Sequence, residues 1–128
     1  MRLEVESLKP KEISDFRLVE KALRSLKSYG PRSFAILTNS NGSFVQVAGG
    51  RVTCVLERGV ASTGFLERAF LVQPKVSFVG TQLLSCGAGK INVEPEEFLF
   101  IDDVVGAFEA FFHGHRFATD LLWRKHTS

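Results

Sequence analysis

The chain has 128 residues, 45% hydrophobic and 23% charged, a size and balance expected of one globular domain over 1–128 with its own core. Its formal charge of +2, with acidic and basic residues interspersed and no long like-charge run, argues against nucleic-acid or membrane-surface binding. No window approaches the roughly 20 apolar residues of a membrane span. The N-terminal MRLEVESLKP also lacks the apolar stretch of a secretory signal, so a cytoplasmic location is expected.

Residues 1–10 read as a short edge strand through Leu3 and Val5, ending at Pro10. From Ser14 the pattern turns helical: Phe16, Val19, Ala22, Leu23 and Leu26 recur at three- and four-residue steps, with charged residues between them. Ser14 is the expected N-cap, Asp15 sits in the first turn, and Gly30-Pro31 supplies the stop. Ser33 to Arg58 then carries three β-prone runs, about 33–38, 43–48 and 51–57, separated by Asn41-Gly42 and Gly49-Gly50. Such dipeptides accept the positive φ of tight turns, so a three-stranded antiparallel meander is predicted. Alternation puts Phe44, Gln46 and Ala48 on one face with Val45 and Val47 on the other. In the next strand Val52, Cys54 and Leu56 oppose Thr53, Val55 and Glu57.

Residues 59–67 are glycine-containing and small, the signature of a loop open to partner contact. A fourth strand is predicted over Ala69–Gln73, stopped by Pro74. Val76–Val79 and Gln82–Cys86 form a fifth strand, or two short ones, and a turn at 87–90 leads into Ile91 and Val93. A second helix is expected from Asp102 to His113, with Val104, Phe108, Phe111 and Phe112 on its apolar side and Gly114 at its stop. The tail is apolar up to Trp123 and then basic, and is expected to fold back on the sheet. The predicted class is α+β: a twisted antiparallel sheet of meander and hairpins, with an N-terminal and a C-terminal helix packed on one face. Phe, at 12 copies against one Trp and one Tyr, points to a Phe-rich core.

Chemistry-bearing motifs are sparse. The glycines form no dinucleotide or P-loop fingerprint, and Gly87-Ala88-Gly89-Lys90 has turn spacing rather than phosphate-loop spacing. Cys54 and Cys86 lie in apolar runs and read as buried free thiols, although a bridge between them stays open. His113 and His115 match no zinc spacing, and no Ser sits in a nucleophile elbow. The acidic pairs Glu96-Glu97 and Asp102-Asp103 read as capping and solvation. No catalytic residue, metal or cofactor is therefore expected. Glu57-Arg58 and Trp123-Arg124 stand out as charges ending apolar elements. Arg with Trp is the composition of interface hot spots, although an internal lock closing the tail on the sheet is the favoured reading for each residue.

The order of these pieces carries a resemblance. N-G-S-F-V-Q-V-A-G-G (Asn41–Gly50) precedes a strand ending V-L-E-R at Arg58. Later, I-D-D-V-V-G-A-F-E-A-F-F (Ile101–Phe112) leads to L-L-W-R-K (Leu121–Lys125). This order resembles small bacterial immunity proteins of polymorphic-toxin systems, over Leu18–Arg58 and Phe98–Arg124. The resemblance implies a non-enzymatic protein that neutralises a cognate secreted toxin by covering its active site or an adjacent surface. Candidate partner contacts are Arg58 and Glu67 around the 59–67 loop and Trp123 and Arg124 in the tail. The mild basic charge departs from the acidic character of inhibitors of basic nucleases, so no particular toxin chemistry is implied. The alternatives are a small-ligand-binding domain with a pocket between sheet and helices, and a homodimeric structural subunit pairing through an edge strand.

Overall fold

The computed structural model describes residues 1–28, 31–50, 53–77, 79–87 and 89–126. Its strands are β1 (Arg2–Val5), β2 (Lys11–Glu12), β3 (Phe34–Thr38), β4 (Phe44–Gly50), β5 (Thr53–Gly59), β6 (Leu66–Leu71), β7 (Gln82–Cys86), β8 (Gly89–Val93) and β9 (Leu121–Lys125). Helix α1 spans Phe16–Arg24 and α2 spans Ile101–His113, with a 3₁₀ turn at Pro95–Glu97. Seven strands form one antiparallel sheet in the order β2-β1-β3-β4-β5-β6-β9, and β7-β8 form a separate hairpin. The α+β class expected from the sequence is the class observed. Among the described residues, no helix is long and apolar enough to cross a membrane.

Pairing register divides the large sheet into two faces. Leu3, Val5, Ala35, Leu37, Val45, Val47, Cys54, Leu56, Ala69, Leu71 and Leu121 share one face, and all belong to a single buried cluster. The same cluster takes in Phe16, Val19 and Leu23 of α1 and Val104, Val105, Ala107 and Phe108 of α2. We call this the core face. The other face carries Phe34, Ile36, Gln46, Ala48, Val55, Glu57 and Arg68, and the β7-β8 hairpin covers part of it. There Val55, Leu84, Val93 and Phe98 make a second, smaller core. Of the phenylalanines, Phe16, Phe98 and Phe108 are buried, while Phe65 and Phe100 are exposed. The core is thus mostly leucine and valine, because several rings sit at its margin.

Several boundaries differ from the sequence reading, each for a local reason. Asp15, not Ser14, is the N-cap of α1: its backbone is extended and its carboxylate accepts the Arg17 N–H at 3.0 Å. The helix ends at Arg24, where the Ser25 hydroxyl donates to the Ala22 carbonyl at 2.6 Å and competes with further helical bonding. Gly30, the expected stop, lies outside the described residues. β1 is not an edge strand, since it is flanked by β2 and β3. β6 begins at Leu66 and β5 continues to Gly59, which shortens the predicted loop to residues 60–65. Of the 76–79 segment, Val76, Ser77 and Val79 are not in a strand, and Phe78 lies outside the described residues.

The two predicted turns resolve differently. At the first, Asn39 Oδ1 accepts the N–H groups of Asn41 and Ser43, and Gly42 takes φ +86°. At the second, Gly49 and Gly50 are still paired within the ladder, opposite Cys54 and Thr53. Arg51 and Val52, which follow, lie outside the described residues. These glycines serve close approach as much as turning: a Cβ on Gly50 would lie 2.5 Å from the backbone carbonyl of Leu26. Backbone cannot yield there as a flexible side chain would. Gly50→Ala is therefore expected to cost about 1–3 kcal/mol, read as a lower urea midpoint with an unchanged slope.

Candidate functional site

Two identical dipeptides, Glu57-Arg58 on β5 and Glu67-Arg68 on β6, meet antiparallel. Glu57 lies opposite Arg68, and Arg58 lies opposite Glu67. Because successive side chains point to opposite faces, this register places one ion pair on each side of the sheet. The two pairs head two different assemblies.

On the core face, Arg58 Nε donates to Glu67 Oε1 at 2.9 Å. Its guanidinium lies 4.4 Å from the ring centroid of Trp123 and 5.5 Å from that of Phe117, and those two rings are 4.9 Å apart. Trp123 fits because its cross-strand partner is Ala69, whose short, fully buried side chain leaves room for an indole. Glu67 pairs in register with Lys125, whose ammonium lies 3.8 Å from the ring centroid of Phe65. Phe65 is half exposed, at 50%. The sequence candidates Arg58, Glu67 and Trp123 are therefore gathered into one patch, joined by Phe65, Phe117 and Lys125. The 60–65 loop bounds this patch, and a smaller hollow of about 240 Å³ lies between that loop and Phe44.

Arg124, the fourth candidate, points to the opposite face. There it sits directly across from Arg68, two like charges in register. Glu97 resolves the conflict: its Oε1 accepts from Arg68 at 3.3 Å and its Oε2 from Arg124 at 2.9 Å. Arg124 also donates to Glu96 at 3.1 Å and covers the Phe70 ring at 4.6 Å. Arg68 is only 2% exposed and every one of its N–H groups is engaged. Nε and Nη2 donate to Glu57 Oε2 at 3.0 and 2.8 Å, and Nη1 donates to the Asn92 carbonyl at 2.8 Å besides Glu97. Nη2 also lies 2.9 Å from His126 Nε2. A guanidinium accepts nothing, so His126 Nε2 is the acceptor and the ring proton sits on Nδ1. Gln46 Nε2 donates to Glu57 Oε1 at 2.8 Å and completes the floor.

Above this floor, between the sheet and the β7-β8 hairpin, opens a groove of about 590 Å³. Its apolar walls include Phe34, Ile36, Val55 and Ile91, with Lys90 at the margin. One end of the hairpin is tied to β1 and β3 through hydrogen bonds. Ser33 Oγ accepts the Gly87 N–H at 2.7 Å, and Glu6 Oε1 accepts from Ser33 Oγ at 2.6 Å and Ser33 N at 2.8 Å.

The other chemistry-bearing side chains lie outside these two assemblies. Cys54 and Cys86 are free, and burial, with the Asp103 charge second, pushes the Cys54 thiol up to about 12, a poor nucleophile. Asp103 accepts the Phe100 N–H at 2.9 Å and binds Lys75 at 2.7 Å, while Asp102 binds Arg24 at 2.9 Å. The His113 and His115 rings lie 5.7 Å apart, tilted by 31°. Among the described residues, no group of three or more His, Cys, Asp or Glu is arranged to hold a metal ion.

Sequence reasoning found three members of the core-face patch but missed Arg68 and the role of Glu97. The repeated Glu-Arg dipeptide was the available signal, since antiparallel pairing of two such dipeptides satisfies both faces at once. Glu97 gave no comparable signal. Its neighbours come from β6 and β9, and only the tertiary fold assembles them. Compared with family models and curated proteins, the chain matches no family model and no curated sequence.

Removing Arg68 would strand Glu57 and Glu97 in a buried site, so Arg68→Met is expected to cost about 3–5 kcal/mol of unfolding free energy. Glu97→Gln should cost a similar amount by leaving Arg68 and Arg124 face to face, both read by chemical denaturation. Burial alone would raise the Glu97 carboxyl. The Glu94 N–H, Arg124 and Arg68 outweigh it and hold the group below its ordinary value of 4.5. Hydrogen bonds from the Ser33 hydroxyl and N–H likewise lower Glu6. For a depressed carboxyl the unfolded chain binds the proton more readily, so this stability is complete above about pH 4.5 and is lost as pH falls through the folded value. Denaturation midpoints should drop in acid, and Glu6→Gln should flatten that limb.

Proposed function

We propose that the chain is an immunity protein, a non-catalytic inhibitor that binds a cognate secreted bacterial toxin and blocks its active site or an adjacent surface. In this reading it is a single domain with both helices laid on one face of a twisted antiparallel sheet, acting in the cytoplasm of the cell that makes the toxin. The observation that carries the reading is the core-face patch. Arg58, Glu67 and Trp123 converge there with Phe65 and Lys125, and aromatic and arginine side chains held in place are what interface hot spots are made of. The order of elements that resembles the immunity proteins ends at the same place, in V-L-E-R and L-L-W-R-K.

The patch is pre-organised. Arg58 is braced by Glu67 and by two rings, so binding need not freeze a free guanidinium, and less conformational entropy is lost on association. The internal-lock reading of Arg58 and Trp123 is therefore compatible with a binding role: the lock positions, and the exposed Phe65 and Lys125 present. Arg124 belongs to the other face, where Glu96 and Glu97 hold it, and is assigned a positioning role.

The reading is tested by growth rescue. The C-terminal domain of a secreted toxin encoded beside this chain is expressed with and without it, and the expected outcome is killing alone and survival together. Phe65→Ala should weaken the complex about tenfold or more, equivalent to ~1.4 kcal/mol, with no change in melting temperature. Absence of both rescue and a complex on co-purification would overturn the proposal.

A further inference from the structure

We propose that the groove under the β7-β8 hairpin is a binding site for a small amphiphilic carboxylate, a molecule with an apolar body and one anionic end. The groove lies on the face opposite the patch assigned to the toxin, so this inference does not depend on that reading. Its volume of about 590 Å³ falls within the ~300–1,000 Å³ of small-molecule sites. Phe34, Ile36, Val55 and Ile91 offer apolar wall, and Ala48, also in the lining, leaves room between them.

The sign of the polar end follows from the bonds already made. Glu57 accepts from Gln46 and twice from Arg68, and all five N–H groups of Arg68 are engaged. Behind them, Glu97 and Glu96 are covered by Arg124. The floor therefore presents no unpaired charge to a ligand. His126 uses Nε2 on Arg68 and keeps its Nδ1–H as a donor. Lys90 lines the same groove, is exposed, and among the described residues is the one lining charge without a counter-charge. An apolar cleft whose single unmatched charge is an ammonium selects an apolar monoanion. A neutral analogue would lose the ion pair, and a cation would be repelled.

The test uses decanoate, decan-1-ol and decylamine as probes against the isotope-labelled protein, followed by amide chemical shifts. Decanoate should move the amides of Phe34, Ile36, Val55 and Ile91, bind more tightly than decan-1-ol, and bind far more tightly than decylamine. Lys90→Met should weaken decanoate about fivefold, the scale of a solvent-accessible ion pair, and leave decan-1-ol unchanged. Ala48→Phe should fill the cleft and abolish binding of all three. Should that variant not fold, as its amide dispersion would reveal, Lys90→Met alone decides. The proposal is overturned if no probe moves the groove amides, if shifts map elsewhere, or if decanoate and decan-1-ol bind equally and Lys90→Met changes neither. None of these outcomes touches growth rescue by the opposite face.

Discussion

Arg68 is a charged residue at 2% exposure on β6, one strand in from the β9 edge of the seven-stranded sheet, and the position of much around it follows from how that charge is satisfied. A guanidinium taken out of water needs counter-charge and a full set of acceptors, or its desolvation costs several kcal/mol. Five hydrogen bonds run from it to four acceptors: Glu57 on β5, which accepts twice, the Asn92 carbonyl on β8, Glu97 in the 3₁₀ turn, and His126 just past β9. Meeting those demands holds the hairpin, the 3₁₀ turn and His126 against the sheet. Arg124 enters the same lattice across from Arg68, and Glu97 makes that opposition tolerable by accepting from both.

The crossed pairs Glu57–Arg68 and Arg58–Glu67 also explain how two faces of one sheet do different things. A strand cannot turn one residue without turning the next the other way, so the two dipeptides necessarily divide their charges between faces. One pair becomes the buried floor of a groove, and the other becomes the brace of an aromatic patch. A slip in register would place like charges opposite one another and exchange apolar for polar positions, so the charges reinforce the pairing that the apolar alternation already favours. Stability and presentation share the same four residues.

Legibility in the sequence followed the range of the interactions involved. Alternation in β4 and β5 was readable because it needs only the two-residue period, and the described residues there fall on the expected faces. Helix α2 was readable from its own short period of about 3.6 residues, from Asp102-Asp103 to Gly114. Boundaries were misplaced where a side chain competed with the periodic signal, as at Asp15 and Ser25, or where pairing across a hairpin extended both strands, as at Gly59 with Leu66. Three of four partner candidates came together because Arg58, Glu67 and Trp123 lie on adjacent strands with matching facing. Arg124, one residue further along, was turned away by the same alternation that had singled out Trp123.

What the sequence determined by itself is the α+β class, the amphipathic helices, the turn at Asn41-Gly42 and the local facing of each strand, since each depends on residues a few positions apart. The tertiary structure alone decided that β9 closes against β6, that β1 lies inside the sheet, and that Glu97 bridges two arginines. It also decided that a groove, rather than the phenylalanine-bearing core, is the concave feature above the charged floor. The Glu97 bridge and the closure of β9 on β6 depend on groups 27 to 58 positions apart meeting in space. Desolvation makes such meetings matter: a charge is tolerated inside only where the whole fold brings it partners, and no local pattern encodes that.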